Sequence, residues 1–79
     1  MGTESTEDKT FRILANNVSK LRKLLGYSQE EFSDKCGVSR LIISNIESGK
    51  AKDAKVSTII KMAKVFGTTP EMLLIDKGV

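Results

Sequence analysis

Residues 28–50 read SQEEFSDKCGVSRLIISNIESGK, and the spacing of polar, apolar and glycine positions in this stretch decides the fold. Ser28 and Glu31 stand as a capping box: the serine oxygen accepts from a first-turn backbone N–H while the glutamate reaches back to the serine N–H. A helix therefore starts at about Gln29. It is short, because Gly37 follows Cys36 where a left-handed residue ends a helix. Ser39 is the next N-cap, with Val38 before it and Ile43 after it at the spacing of a hydrophobic staple, so another helix runs from Arg40 to about Ser48 and stops at Gly49. Two helices joined by a turn of about three or four residues with glycine at the corner cross steeply, and one of them stands proud of the body.

Upstream, Phe11, Leu14, Val18, Leu21 and Leu25 draw one stripe along a helix ending at Gly26, whereas residues 1–9 (MGTESTEDK) have no apolar periodicity and read as a disordered lead-in. Downstream, residues 50–55 (KAKDAK) form a polar, basic loop, and Val56, Ile59, Ala63 and Phe66 mark a fourth helix capped by Asp53 rather than Ser57. Gly67 closes it. Thr69-Pro70 opens a last short helix with proline in its preferred first position, and Met72, Leu73, Leu74 and Ile75 give it an apolar side. With no repeat and no strand signal, the expectation is an all-α fold: a tail over residues 1–9 and one compact five-helix domain over residues 10–76.

Composition narrows the function. Seventy-nine residues are too few for two cores, and a single cysteine with no histidine excludes a disulfide framework or a His/Cys metal site within one chain. The commonest general base is missing, so an enzyme is not expected, nor is a cofactor. No stretch is apolar for long enough to span a bilayer and the first ten residues are polar and acidic, which points to the cytoplasm. The net charge is +3, but Glu4, Glu7 and Asp8 sit in the tail, leaving the folded part more basic and suited to a polyanionic partner.

Phe32 and Ser33, Gly37, Val38, and Ile43 and Ile46 supply a small residue for close helix approach (Ser33), a permissive corner (Gly37) and two inward anchors (Ile43 and Ile46), so the residues that face out from the helix beginning at Arg40 are Arg40, Leu41, Ser44, Asn45 and Ser48, with Ile42 at the margin. Most of them form hydrogen bonds. An α-helix fits the major groove of DNA, where arginine pairs with guanine, asparagine with adenine, serine with several edges and an apolar side chain with a thymine methyl. A helix made only for solvent would carry Glu and Lys at i, i+4, and this face carries neither arrangement.

From Val18 to Leu74 the sequence resembles the Xre-type helix-turn-helix family of lambdoid phage repressors and Cro proteins, most densely at SQEEF, GVSR and ISNIESGK. The resemblance implies a five-helix domain whose third helix enters the major groove, bound as a homodimer to a partly palindromic operator in double-stranded DNA. It places Arg40, Leu41 and Asn45, with Ser44 beside them, at base contacts. It places Gln29, Ser39, Ser48, Lys50, Lys52 and Lys55 at phosphate contacts, with Gln29 also bracing Arg40. Arg22 and Glu47 match a partly buried ion pair tying the first helix to the end of the third. Two positions depart from the family pattern: Ser33 stands where alanine is commoner, and Ala54 where proline often precedes the fourth helix. Arg40-Leu41 differs from the glutamine pairs of some phage repressors, so no known operator transfers.

Blander readings stand beside these. Ser28, Ser39 and Gln29 serve as caps, Arg22 and Glu47 as a surface pair, and the lysines as a solvated loop. Cys36 is a small buried hydrophobe or a redox sensor, and Met72, Leu73, Leu74 and Ile75 finish the core or form a dimer contact. The function expected is a sequence-specific transcriptional regulator, most simply a repressor. The alternatives are an adaptor of the same fold that binds protein, an antitoxin or a restriction-modification controller.

Overall fold

The computed structural model describes residues 4–51 and 54–78. Five helices follow in order, α1 (Thr6–Leu24), α2 (Gln29–Cys36), α3 (Arg40–Glu47), α4 (Val56–Phe66) and α5 (Pro70–Leu73), with no strand among the described residues.

Helix α1 starts before its apolar stripe. Residues 6–9, expected in a disordered lead-in, form its first turn, because Ser5 accepts a hydrogen bond from the Asp8 N–H and the acids Glu7 and Asp8 sit at the positive end of the helix. At its other end Leu25, expected on the stripe, is the exposed C-cap. Helix α2 has the whole capping box: Ser28 Oγ accepts from Glu31 N at 3.0 Å, and Ser28 N donates to Glu31 Oε1 at 2.9 Å. The Ser28 N–H holds the Glu31 carboxyl below its ordinary pKa. Gly37 then ends α2 at φ 71°, a left-handed conformation that glycine adopts without strain.

Helix α4 departs further from expectation. Its N-cap is Lys55, which makes no side-chain cap hydrogen bond; Asp53, the expected cap, lies outside the described residues. Val56 is exposed, and Met62 points inward in company with Ile59 and Ala63.

The long α1 packs against α3, α4 and α5, and α2 packs against α3 and α4. Leu14 and Val18, Phe32, Ile43 and Ile46, Met62 and Ala63, and Leu73 meet in one core. At its centre the Phe32 ring stacks on Phe66 with centroids 4.7 Å apart. Leu73, read as either a core residue or a dimer contact, is 0% exposed and belongs to this core. A four-residue helix holds its place only by turning a side chain inward, and α5 has a second tie as well. The buried Asn17 donates from Nδ2 to the carbonyls of Leu73 at 2.9 Å and Ile75 at 3.1 Å, satisfying acceptors at the open end of α5.

The uncapped start of α4 leaves room for stabilisation. Lys55→Ser supplies the missing acceptor and is expected to raise the unfolding free energy by about 1 kcal/mol, with Lys55→Ala near the native value; urea midpoints check both.

Candidate nucleic-acid interface

The corner between α2 and α3 is closed from inside. Ser33 donates its hydroxyl proton to the Val38 carbonyl at 2.6 Å, so this serine does more than allow close approach. Ser39 accepts from the Ile42 N–H at 3.2 Å, which uses its oxygen but leaves its O–H proton to donate outward. Capping and an outward contact are therefore compatible at Ser39.

Helix α3 divides lengthwise. Ile43 and Ile46 are buried, while Arg40, Leu41, Ile42 and Ser48 are exposed and Ser44 and Asn45 half-buried. This brings Arg40, Leu41, Ser44 and Asn45 onto one outward arc. Ser48, the C-cap, donates its hydroxyl to the Asn45 carbonyl at 3.1 Å, so a phosphate contact from it requires the hydroxyl to turn. The same carbonyl accepts from the backbone N–H groups of Lys50 and Ala51 at 3.0 and 3.1 Å, which folds the following loop back over the end of α3.

The inner edge of that end is clamped. Arg22 of α1 grips Glu47 with two parallel hydrogen bonds, Nε to Oε2 at 2.7 Å and Nη2 to Oε1 at 2.9 Å, and its Nη1 donates to the Tyr27 carbonyl at 2.7 Å. The two side chains are only 11% and 7% exposed. Hydrogen bonding to Glu47 raises the Arg22 pKa against the opposing effect of burial, so the guanidinium stays charged. Gln29 Nε2 also donates to Glu47 Oε1, at 3.4 Å. Gln29 thus touches Glu47 in the free protein. The buried clamp differs from the Arg12–Glu4 pair at 3.1 Å, whose side chains are 51% and 39% exposed.

On the outer side, Lys50 and Lys55 stand exposed around an open groove of about 670 Å³ between α3 and the start of α4. Ile42, Asn45 and Thr58 line it, and so does Lys61, which the sequence reading missed. Its signal was the i, i+4 step from Ser57 on the face of α4 that turns toward the loop. Lys52 lies outside the described residues. A smaller depression of about 370 Å³ beside the start of α1 holds Glu4 and Asp8, the wrong sign for a phosphate.

The remaining candidates sit apart from this surface. Met72 and Ile75 are exposed and Leu74 half-buried near the end of the chain. Cys36 is a buried free thiol whose pKa burial pushes up, which disfavours the reactive thiolate. Among the described residues no helix is long and apolar enough to cross a membrane, and no group of three or more His, Cys, Asp and Glu side chains gathers to hold a metal.

Residues 18–73 match the family model described as helix-turn-helix. The control protein C.SmaI of Serratia marcescens is 35% identical over 66 residues, 84% of this chain and 77% of that one. The crystal structure of the hypothetical transcription factor NHTF from Neisseria superposes with a TM-score of 0.80 at 30% identity, over 96% of this chain and 86% of that one. The N-terminal DNA-binding domain of SinR from Bacillus subtilis gives a TM-score of 0.79 at 26% identity, over 84% and 96%. SinR, a master regulator for biofilm formation, solved in complex with DNA gives 0.74 at 26%, over 78% and 98%.

Removing one partner of a buried pair strands the other. Arg22→Met is expected to lower the unfolding free energy by about 3 kcal/mol, since it leaves the Glu47 carboxylate with only the long bond from Gln29 and the Tyr27 carbonyl without its side-chain donor, while Arg12→Met leaves the urea midpoint nearly unchanged.

Proposed function

The chain belongs to the Xre-like helix-turn-helix family, and from that premise we propose that it is a DNA-binding transcriptional regulator whose α3 enters the major groove, one domain per half-site of a homodimer. The split of α3 into a buried face and an exposed arc of Arg40, Leu41, Ser44 and Asn45 beside a lysine-bearing groove carries this reading. The solved complex of SinR with DNA supports it.

Each residue takes a role from its chemistry. Arg40 pairs with guanine O6 and N7, Asn45 with adenine N6 and N7, Ser44 with a neighbouring edge, and Leu41 packs on a thymine methyl. Gln29 at the N-terminus of α2, Ser39, Ser48, Lys50 and Lys55 hold phosphates, and so does Lys52 of the connecting loop. These contacts set register without reading sequence. Met72 and Ile75 supply apolar area for the dimer contact, edged by Leu74.

The protein works in the cytoplasm by occupying DNA and performs no chemistry on it. A dimer seated on a promoter obstructs transcription, which makes repression the simplest mode. Similarity to the control protein C.SmaI supports a regulatory role. An adaptor that bridged proteins would enrich no sequence from a pool of randomised duplexes, and that result would displace this reading.

On an enriched duplex, Arg40→Ala is expected to lose ~1–3 kcal/mol at one base position and to relax specificity there, whereas Lys50→Ala weakens specific and random DNA alike and lowers the salt dependence. Binding isotherms on both duplexes at several salt concentrations check this; equal losses for Arg40→Ala on the two would contradict the readout.

A further inference from the structure

Two apolar side chains on the outward side of α3 lie outside the core and keep apolar area in water. Leu41 is 70% exposed and Ile42 44%. The core contribution of α3 is complete without them, since Ile43 and Ile46 are its buried residues. At about 100° per residue, Leu41 sits at the crest of the arc opposite those isoleucines, with Arg40 and Ser44 to one side and Asn45 and Ile42 to the other. Ile42 and Asn45 also line the groove that holds Lys50, Lys55 and Lys61. The apolar pair therefore spans from the crest of the helix to the edge of the lysine groove.

Apolar surface left in water gains stability only when something apolar covers it. The three lysines beside the pair complement a phosphate backbone, which makes DNA the occupant. On the base edges of the major groove the match is narrow. Thymine offers a carbon there, its C5-methyl. The adenine and cytosine amines and the guanine O6 and N7 are polar, and an aliphatic side chain pressed on them strips water without replacing its hydrogen bonds. Two adjacent aliphatic side chains thus favour methyl groups and reject bare polar edges.

Resting on the DNA-binding reading above, we propose that Leu41 and Ile42 together read pyrimidine C5-methyl groups in the major groove, with Ile42 a specificity-determining residue in its own right. The group recognised is the methyl rather than the base. Thymine always carries it, and cytosine carries it once methylated at C5. The affinity of a site containing cytosine opposite either side chain then depends on its methylation.

Duplexes enriched from a randomised pool by the intact chain provide the probe. Each thymine of the enriched motif is replaced singly by uracil, which removes one methyl and keeps the base pair. A second set places cytosine or 5-methylcytosine, each opposite guanine, at the same positions. At each contacted thymine, uracil is expected to weaken binding about fourfold, the equivalent of one buried CH₂-sized group, and 5-methylcytosine to bind about fourfold more tightly than cytosine. Ile42→Ala removes the discrimination at one position and Leu41→Ala at another, with thermal midpoints unchanged because both side chains are exposed.

Thymine and uracil duplexes that bind equally at every position would overturn the methyl reader and leave DNA binding standing. Discrimination that survives both substitutions would overturn it too, by placing the contact on other residues. A penalty for uracil without a gain from 5-methylcytosine would overturn the claim that the methyl rather than the base is recognised. Failure to enrich any duplex is a different outcome: it removes the DNA-binding reading itself.

Discussion

The buried pair of Arg22 and Glu47 joins three parts of the chain: helix α1, the turn at Tyr27 and the end of α3. Helix α3 depends on it. Eight residues are too few for a helix to hold its shape or direction alone, and only Ile43 and Ile46 anchor α3 in the core. Two aliphatic anchors leave the helix free to roll about its axis, whereas a two-pronged guanidinium contact at its last residue has a defined plane. Withdrawing two charges from water costs much of what their attraction returns, so the gain from the pair lies more in orientation than in net stability. Gln29 donates to the same carboxylate and so ties the start of α2 to the end of α3.

Once α3 is fixed, its two faces follow different demands. The inward residues obey packing, with Phe32, Ile43 and Met62 fully buried around the stack on Phe66. The outward residues answer to a partner instead. An exposed leucine and isoleucine on α3, and a lysine rather than a serine or aspartate capping α4, are poor choices for stability alone. They are reasonable choices for a surface that meets base edges and phosphates. Departures from the best local choice collect around the groove between α3 and α4, as expected of a binding site.

Much of the architecture was legible because its determinants are local. The capping box of Ser28 and Glu31, the left-handed Gly37 and the cap at Ser39 each span a few residues, and all three occur where their spacing puts them. What escaped depends on contacts between distant parts of the chain. Nothing near Asn17 announces that its amide will serve carbonyls 56 and 58 residues away. An apolar run such as Met72 to Ile75 does not say which side chain a four-residue helix turns inward, and burial of Leu73 was settled by α1 and α4. The early start of α1 was missed because periodicity registers only the buried stripe, while Ser5 and the acids after it act on the backbone. Of the candidate site, the outward arc of α3 was readable from its period. The contact of Gln29 with Glu47 and the place of Lys61 required the packed helices.

The central claim is that the outward arc of α3 and the lysine groove beside it form the DNA-contacting surface. Titrating the isotopically labelled protein with an enriched duplex and following its amide resonances tests this most directly, since every element reports at once. The account predicts the largest shifts at Gln29, at Arg40 to Asn45 and around Lys50 and Lys55, with Leu24 and Leu25 at the far end of α1 unmoved. Shifts centred on α1 or α5 with α3 silent would contradict it.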